Sequence, residues 1–200
     1  MKANAAVFKR LPIYLQFLRG LPEETVNVSA AAIARDIGYG DVQVRKDLAL
    51  VSGEGKPKTG YEKTRLIKSL EDYLGYSSAK KAVIIGAGKL GLALMDYKGF
   101  NEWGLEISAA FDNDEARVNP SNNIFGMESL SGYCEENGIK IGIIAVPAKA
   151  AQEVCDRLCE ASVKAIWSFA PVSLKVPDGV TVQYENMAAS VASILCGIEE

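Results

Sequence analysis

Residues 81–100, KAVIIGAGKLGLALMDYKGF, carry a strand, a glycine-rich turn and a helix in unbroken succession. Val83, Ile84 and Ile85 form a β-branched run of the length expected for a buried parallel strand. Gly86-Ala87-Gly88-Lys89-Leu90-Gly91 then follows as G-x-G-x-x-G. The glycines are expected to serve separate purposes. Gly86 allows the tight bend, Gly88 lets the backbone approach a pyrophosphate, and Gly91 lets the helix lie close to the strand. An anion held by such a turn sits on the helix N-terminus, where unpaired N–H groups and the positive end of the helix dipole meet it. The second half of the signature is LEISAAFDND, which puts Asp112 at the end of another strand, 21 residues after Gly91. A carboxylate there accepts from adenosine ribose hydroxyls and repels a 2′-phosphate, so the pattern favours NAD(H) over NADP(H). No arginine stands in the Asp112-Asn113-Asp114 triplet.

Toward the C-terminus the alternation is regular. Strands at 82–85, 106–111, near Ile124 and Phe125, at 141–145 and at 164–167 alternate with helices at 89–97, 128–137 and 148–161, which predicts a doubly wound parallel sheet. Val146-Pro147 and Phe169-Ala170-Pro171 follow two of these strands at their carboxyl ends, where such a sheet places its ligand; strand termination alone accounts for the same prolines. The last segment, ENMAASVASILCGIEE, places Met187, Val191, Ile194 and Leu195 along one helical face. That stripe suits docking on a second copy or folding back on the chain's own sheet.

Toward the N-terminus the character changes. Residues 5–19 carry Val7, Leu11, Tyr14, Leu15 and Leu18 at three- and four-residue spacings, an amphipathic helix with Pro12 kinking it or lying in its first turn. Ser29 is placed to cap a short helix, AAAIARDIG, and Asp41 to cap the next, VQVRKDLALV. Two short helices across Gly38-Tyr39-Gly40 make a helix-turn-helix pattern, with residues 42–51 as recognition helix and Gln43, Arg45 and Lys46 near its start. Arginine or lysine there donates to guanine and glutamine pairs with adenine; the bland alternative is a solvated helix face. Val42, Val44, Leu48 and Val51 are expected to face the core. SGEGKPKTGYEK, with Lys56 and Lys58, suits a basic wing beside that helix or an ordinary linker ahead of a helix at 62–74. Gly75–Ala79 is the expected hinge.

The charge follows the same division. The net −3 conceals 13 Lys and Arg against 9 Asp and Glu in residues 1–80, but 9 against 16 in residues 81–200. The first part suits an anionic partner, whereas the second would repel nucleic acid. At 200 residues the chain suffices for one large domain or two small ones, and no apolar run approaches a membrane span. With no export leader visible in MKANAAVFKR, a cytoplasmic location and no membrane partner are expected. Cys134, Cys155, Cys159 and Cys196 form no C-x-x-C and the chain has no histidine, so all four are expected as small apolar residues and no metal site is expected. Cys155 and Cys159 share one helix face, which leaves a redox or metal role as the alternative.

Taken together the chain resembles the Rex family, bacterial redox-sensing transcriptional repressors. The resemblance rests on RLPIYL, QVRKDL, GAGKLGLALMDYKGF, AAFDND, VPAKAAQEV and FAPVSLKVPDGV, in the family order over nearly the whole chain. It implies an α/β fold: a winged-helix DNA-binding domain over 1–78, a Rossmann NAD(H)-binding domain over 79–184 and a dimerising C-terminal helix over 185–200. It also implies homodimers that bind double-stranded operator DNA and are released by NADH. Arg45 and Lys46 would read the major groove. Gly86, Gly88, Leu90, Gly91 and Asp112 would hold the dinucleotide, and Val146, Pro147, Phe169, Ala170 and Pro171 would line its nicotinamide side. Tyr97 matches a coupling tyrosine, and Arg10 an arginine near the domain interface.

Three departures stand out. Pro57 and Lys58 replace an arginine-glycine pair in the wing, Asn186 replaces an aspartate that would pair with Arg10, and little chain follows the start of the last helix. The rival classes are an NAD-dependent dehydrogenase, disfavoured because no second domain or histidine supplies substrate chemistry, and a cofactor-binding module that binds no DNA.

Overall fold

The computed structural model describes residues 5–198, and the chain divides between Ser78 and Ala79 into two compact units. The first contains α1 (Ala5–Gly20), β1 (Asn27–Val28), α2 (Ala30–Ile37), α3 (Asp41–Ser52), β2 (Tyr61–Glu62) and α4 (Lys63–Leu74), with β1 and β2 paired antiparallel. Apolar stripes decide the packing: Leu11, Tyr14, Leu15 and Leu18 of α1, Ile33 of α2, Val44 and Leu48 of α3, and Leu66 and Leu70 of α4 are all buried in one core. α1 runs on through Pro12, so the proline lies in its interior rather than its first turn. Ser29 caps α2, its Oγ accepting from the Ala32 N–H at 3.1 Å, and Gly38 ends that helix at φ +75°.

In α3 two expectations are corrected. Gly40 occupies the capping position, and Asp41 is the first helical residue, its carboxylate accepting from Arg45 at 2.7 Å one turn on. An acid in the first turn still suits the helix dipole. Val42 is 63% exposed. It stands two residues before Val44, about 200° round the helix, so the stripe that buries Val44, Asp47 and Leu48 turns Val42 outward.

Asp47 is the unexpected member of that stripe. Its carboxylate receives Arg10 Nε at 2.7 Å and Nη2 at 3.0 Å, and the Tyr14 hydroxyl donates to it at 2.8 Å. Burial and the adjacent carboxylate push the Tyr14 hydroxyl well above the usual phenol range, so it remains a donor. The hydrogen bonds from Arg10 compensate the buried charge, as a desolvated carboxylate requires.

The second unit runs β3 (Lys80–Ile85), α5 (Lys89–Asp96), α6 (Gly99–Glu102), β4 (Leu105–Asp112), β5 (Ile124–Gly126), α7 (Leu130–Glu136), β6 (Ile141–Ile144), α8 (Ala148–Glu160), β7 (Ala165–Ser168), β8 (Thr181–Tyr184) and α9 (Met187–Cys196). The sheet order is β5-β4-β3-β6-β7-β8, every pairing parallel, so β3 lies centrally with the strand order reversing beside it. β3 is buried on both faces. Val83 and Ile85 pack with Phe111, Leu130, Val154 and Leu158 on the α7–α8 side, while Ala82 and Ile84 pack with Leu94 and Met95 of α5 on the other.

The sequence pattern omits α6 and β8. TVQY offers no buried residue and lies at the sheet edge, so it lacks the apolar run by which the inner strands declare themselves. Cys134 and Cys155 are buried as small apolar residues, and burial together with neighbouring Cys159 pushes the Cys155 thiol up to about 12. That value argues against thiolate chemistry there. α9 leaves Met187, Val191, Ile194 and Leu195 exposed. Among the described residues no helix is long and apolar enough to cross a membrane.

Asp47→Ala is expected to destabilise the first unit by about 2–3 kcal/mol, because it strips a charged, hydrogen-bonded partner from Arg10 and Tyr14 together. Tyr14→Phe, which removes a single donor, should cost about 1 kcal/mol. Denaturant titration followed by circular dichroism ranks the two; equal losses would mean that the Arg10 pair contributes nothing.

Candidate functional site

The three glycines of the turn between β3 and α5 differ in what surrounds them. Gly86 has φ +105°, and a Cβ there would lie 2.6 Å from the Ala145 carbonyl oxygen and 2.9 Å from Val146 Cγ1. Only glycine fits both the dihedral and the gap. A Cβ on Gly91 would fall 1.8 Å from the Gly86 oxygen, so α5 rests directly on the turn. Gly88 is the contrast: its Cβ would meet only Arg117 Nη1, at 3.8 Å. Packing does not require that glycine, and the missing side chain leaves the turn open on that side. Gly88 also precedes α5 with no side chain capping the helix, leaving Lys89 and Leu90 exposed at the helix start. An uncapped N-terminus is a ready anion site.

Asp112 ends β4 and is buried. Its Oδ2 accepts from the Ala87 N–H at 2.8 Å and from Arg117 Nη1 at 3.1 Å, and its Oδ1 from the Asp114 N–H at 3.0 Å. Burial raises its pKa, but the Asp114 and Ala87 amides and the Arg117 guanidinium outweigh that and hold the carboxyl below its usual range. It therefore stays ionised, and of its roughly four acceptor sites about one is left for a ribose hydroxyl.

A cavity of about 430 Å³ opens over this turn. It gathers Gly86, Gly88, Asp112 and Asn113 with Val146 and Pro147 from the end of β6 and Lys149, Glu153 and Arg157 from α8. Val146 and Pro147 thus share a chamber with Asp112, whereas Phe169, Ala170 and Pro171 do not line it. Those three follow β7, the next strand along. Phe169 packs on Trp167 at 4.9 Å between ring centroids, Ala170 is buried and Pro171 exposed. Trp167 in turn meets Phe100, which touches Tyr97 at 5.0 Å. The half-exposed Tyr97 ring lies over Gly99, where a Cβ would come within 2.5 Å of its Cζ.

In the first unit, residues 52–63 fold as a wing rather than a linker. Lys56 and Gly60 exchange both backbone hydrogen bonds at 2.8 Å around a tip of Pro57, Lys58 and Thr59, and β2 returns to pair with β1. Lys58 has φ +67°, a left-handed conformation that costs a side-chain-bearing residue strain glycine avoids. An open groove of about 660 Å³ between α3 and this hairpin is lined by Arg45, Lys46, Lys56 and Lys58. Gln43 is not among its lining residues. Its amide oxygen, in the orientation that satisfies its neighbours, accepts from the Arg10 guanidinium at 3.0–3.3 Å.

Of the remaining candidates, Arg10 pairs with Asp47 in its own unit, and the Asn186 side chain caps α9 by accepting from the Ala189 N–H at 3.0 Å. Arg117, Lys149, Glu153 and Arg157 fall outside the sequence expectation. Lys149, Glu153 and Arg157 recur every four residues on the helix that follows a ligand-side strand end, a pattern that marks one face toward the site. Arg117 stands five residues beyond Asp112, outside the triplet in which a phosphate-binding arginine is sought.

Comparison with known proteins places both units. The family described as "CoA binding domain" matches residues 77–172, and that described as "Putative DNA-binding protein N-terminus" matches residues 4–49. The redox-sensing transcriptional repressor Rex of Treponema denticola is 40% identical over 190 residues, covering 93% of this chain and 90% of its own length. That of Roseiflexus sp. is 38% identical over 192 residues, covering 94% of this chain and 87% of its own. Among solved structures, RSP in complex with β-NAD+ and operator DNA superposes with a TM-score of 0.92 at 30% identity, over 99% of this chain and 93% of that one. RSP in complex with β-NADH gives 0.87 at 29% identity, over 99% and 95%. With the winged hairpin, the glycine turn and its carboxylate in one chain, aligned with these repressors over almost its full length, the protein belongs to the Rex family.

Proposed function

We propose that the protein is a redox-sensing transcriptional repressor that binds double-stranded operator DNA as a homodimer through its first unit and lets go when NADH occupies its second. The observation that carries this is the conjunction, in a chain that aligns with Rex repressors nearly end to end, of a cationic groove beside α3 with a glycine turn that shares a cavity with the buried carboxylate of Asp112. It is a regulator and not an enzyme, acting in the cytoplasm without a membrane partner. Its second unit provides a cofactor site with no histidine for acid or base chemistry.

In this reading Arg45 and Lys46 face the bases and Lys56 and Lys58 the phosphates. Arg45 must leave Asp41 to do so. An exposed ion pair four residues apart on a helix is worth only about 0.3–0.5 kcal/mol, against about 1–3 kcal/mol for a bidentate base contact, so the exchange favours DNA. Gln43, held by Arg10, supports α3 rather than reading a base. The duplex requires two such helices about 34–36 Å apart or a multiple of that, and a second copy docked on the exposed apolar stripe of α9 supplies the other.

The second unit does the sensing. Gly86, Ala87, Gly88, Lys89, Leu90 and Gly91 hold the pyrophosphate, and Asp112 holds the adenosine ribose, with Val146 and Pro147 walling the same chamber. Both oxidation states share these contacts, so discrimination falls to the nicotinamide end, where Phe169, Ala170 and Pro171 follow β7. An apolar wall does little to offset desolvation of the cationic ring of NAD+, so it favours neutral NADH. Arg10, Tyr97 and Asn186 are the residues proposed to couple the sites. NADH binding shifts the paired α3 helices off the required spacing.

Arg45→Ala is expected to cost about 1–3 kcal/mol of specific binding and to relax preference at one base position per half-site. Lys58→Ala should weaken binding to all sequences alike and flatten its salt dependence by up to about one unit of slope per half-site. Quantitative gel shifts across salt concentrations separate these two signatures, and identical uniform losses would refute the division into reader and anchor. Linkage supplies the central test: if NADH weakens operator binding, saturating operator must weaken NADH binding by the same factor, with couplings of about 1–3 kcal/mol typical. NADH fluorescence titrations with and without operator duplex measure it, and equal affinities would eliminate the sensor role even if both ligands bind.

A further inference from the structure

Arg117 occupies the open side of the dinucleotide turn. Its guanidinium lies over Gly88, whose Cβ would meet Nη1 at 3.8 Å, and it is gripped by two acids: Nη1 stands 3.1 Å from Asp112 Oδ2, and Nε 3.4 Å from Asp114 Oδ2. Asp112 is the residue that should reject a 2′-phosphate, yet its charge is already met by Arg117 and two backbone amides. The groups lining the cavity include three cations, Arg117, Lys149 and Arg157, against two carboxylates, Asp112 and Glu153. Such a lining does not by itself repel a phosphate. Asp114 adds a second acid to the guanidinium, so Arg117 meets a third anion with part of its charge already matched.

We propose that Arg117 is a latent receptor for the 2′-phosphate of an adenosine ribose, withheld by Asp114, so that Asp114 acts as a positioning residue that sets the preference for NADH over NADPH. This rests on the dinucleotide lying on the glycine turn as described above. A ribose whose hydroxyls reach Asp112 carries its 2′-position beside the group that pairs with that same carboxylate. The guanidinium fork matches a phosphate bidentately as well as it matches a carboxylate. Both Arg117 and Asp114 are half exposed, and a water-screened pair of this kind is a weak restraint. The preference for NADH is therefore shallow, and small changes at Asp114 shift it.

The test is a set of fluorescence titrations of the full chain with NADH and NADPH. Asp114→Asn removes the charge but keeps a side-chain oxygen for the Ala116 N–H that Asp114 now caps at 3.1 Å. It should raise NADPH affinity about tenfold, the scale of one new charge-assisted hydrogen bond, and leave NADH affinity within about twofold. Adding Arg117→Ala should abolish that gain, and Arg117→Lys should retain part of it, while NADH binding in each reports that the site still folds. An NADH:NADPH ratio unmoved by Asp114→Asn, or a gain that survives Arg117→Ala, would overturn the proposal. Failure of the unaltered protein to bind either nucleotide would overturn the placement of the dinucleotide itself.

Discussion

The tie between the Asp112 carboxylate and the Ala87 amide is the constraint on which the second unit's chemistry depends. It joins the end of β4 to the turn after β3, so the bend of the chain and the buried acid are one piece of geometry. The close approaches at Gly86 and Gly91 act in the same direction: a turn pressed against β6 and a helix pressed against the turn leave no room for another backbone path. Packing fixes Gly86 and Gly91, and Gly88, the residue before α5, opens on the cavity. Pre-organised amides lose little freedom when they bind an anion.

How far the fold and the site are legible in the sequence depends on how local each feature is. The glycine turn and the spacing to Asp112 are set by covalent distance and backbone dihedrals, so they can be read directly. The core of the helical unit is legible too, since Leu11, Tyr14, Leu15 and Leu18 repeat at helical spacing. Asp47 is not, because an acid beside Arg45 and Lys46 has the pattern of a solvated face; only the fold brings Arg10 and Tyr14 onto it from another helix. Val42 misleads for the complementary reason, an apolar side chain on the wrong angular position of α3. β8 escapes notice as an edge strand with polar residues, and Arg117 because its reach back to Asp112 depends on the tight turn at Glu115–Arg117.

The two units solve opposite electrostatic problems. In the first, cations are left facing an open groove while the buried charge of Asp47 is neutralised from within the unit. A surface arranged this way attracts a polyanion without strain on its own core. In the second, the Asp114 and Ala87 amides and the Arg117 guanidinium outweigh burial and hold a buried carboxylate below its usual range. The wing tip shows the cost of the first arrangement. Lys58 holds a backbone conformation better suited to glycine, and its charge is retained at the expense of that strain.

The sheet of the second unit ends in β5, three residues long, and β8, four residues long. Edges that short offer few unpaired amides and carbonyls, so they are poor templates for another chain's strand and guard against runaway polymerisation. Self-association through this unit would then be a matter of side chains, and α9 offers Met187, Val191, Ile194 and Leu195, all exposed on one helix. Contacts of that kind draw their strength from the release of water and weaken as the temperature falls. An assembly built on them loosens in the cold, where one built on backbone ladders would not.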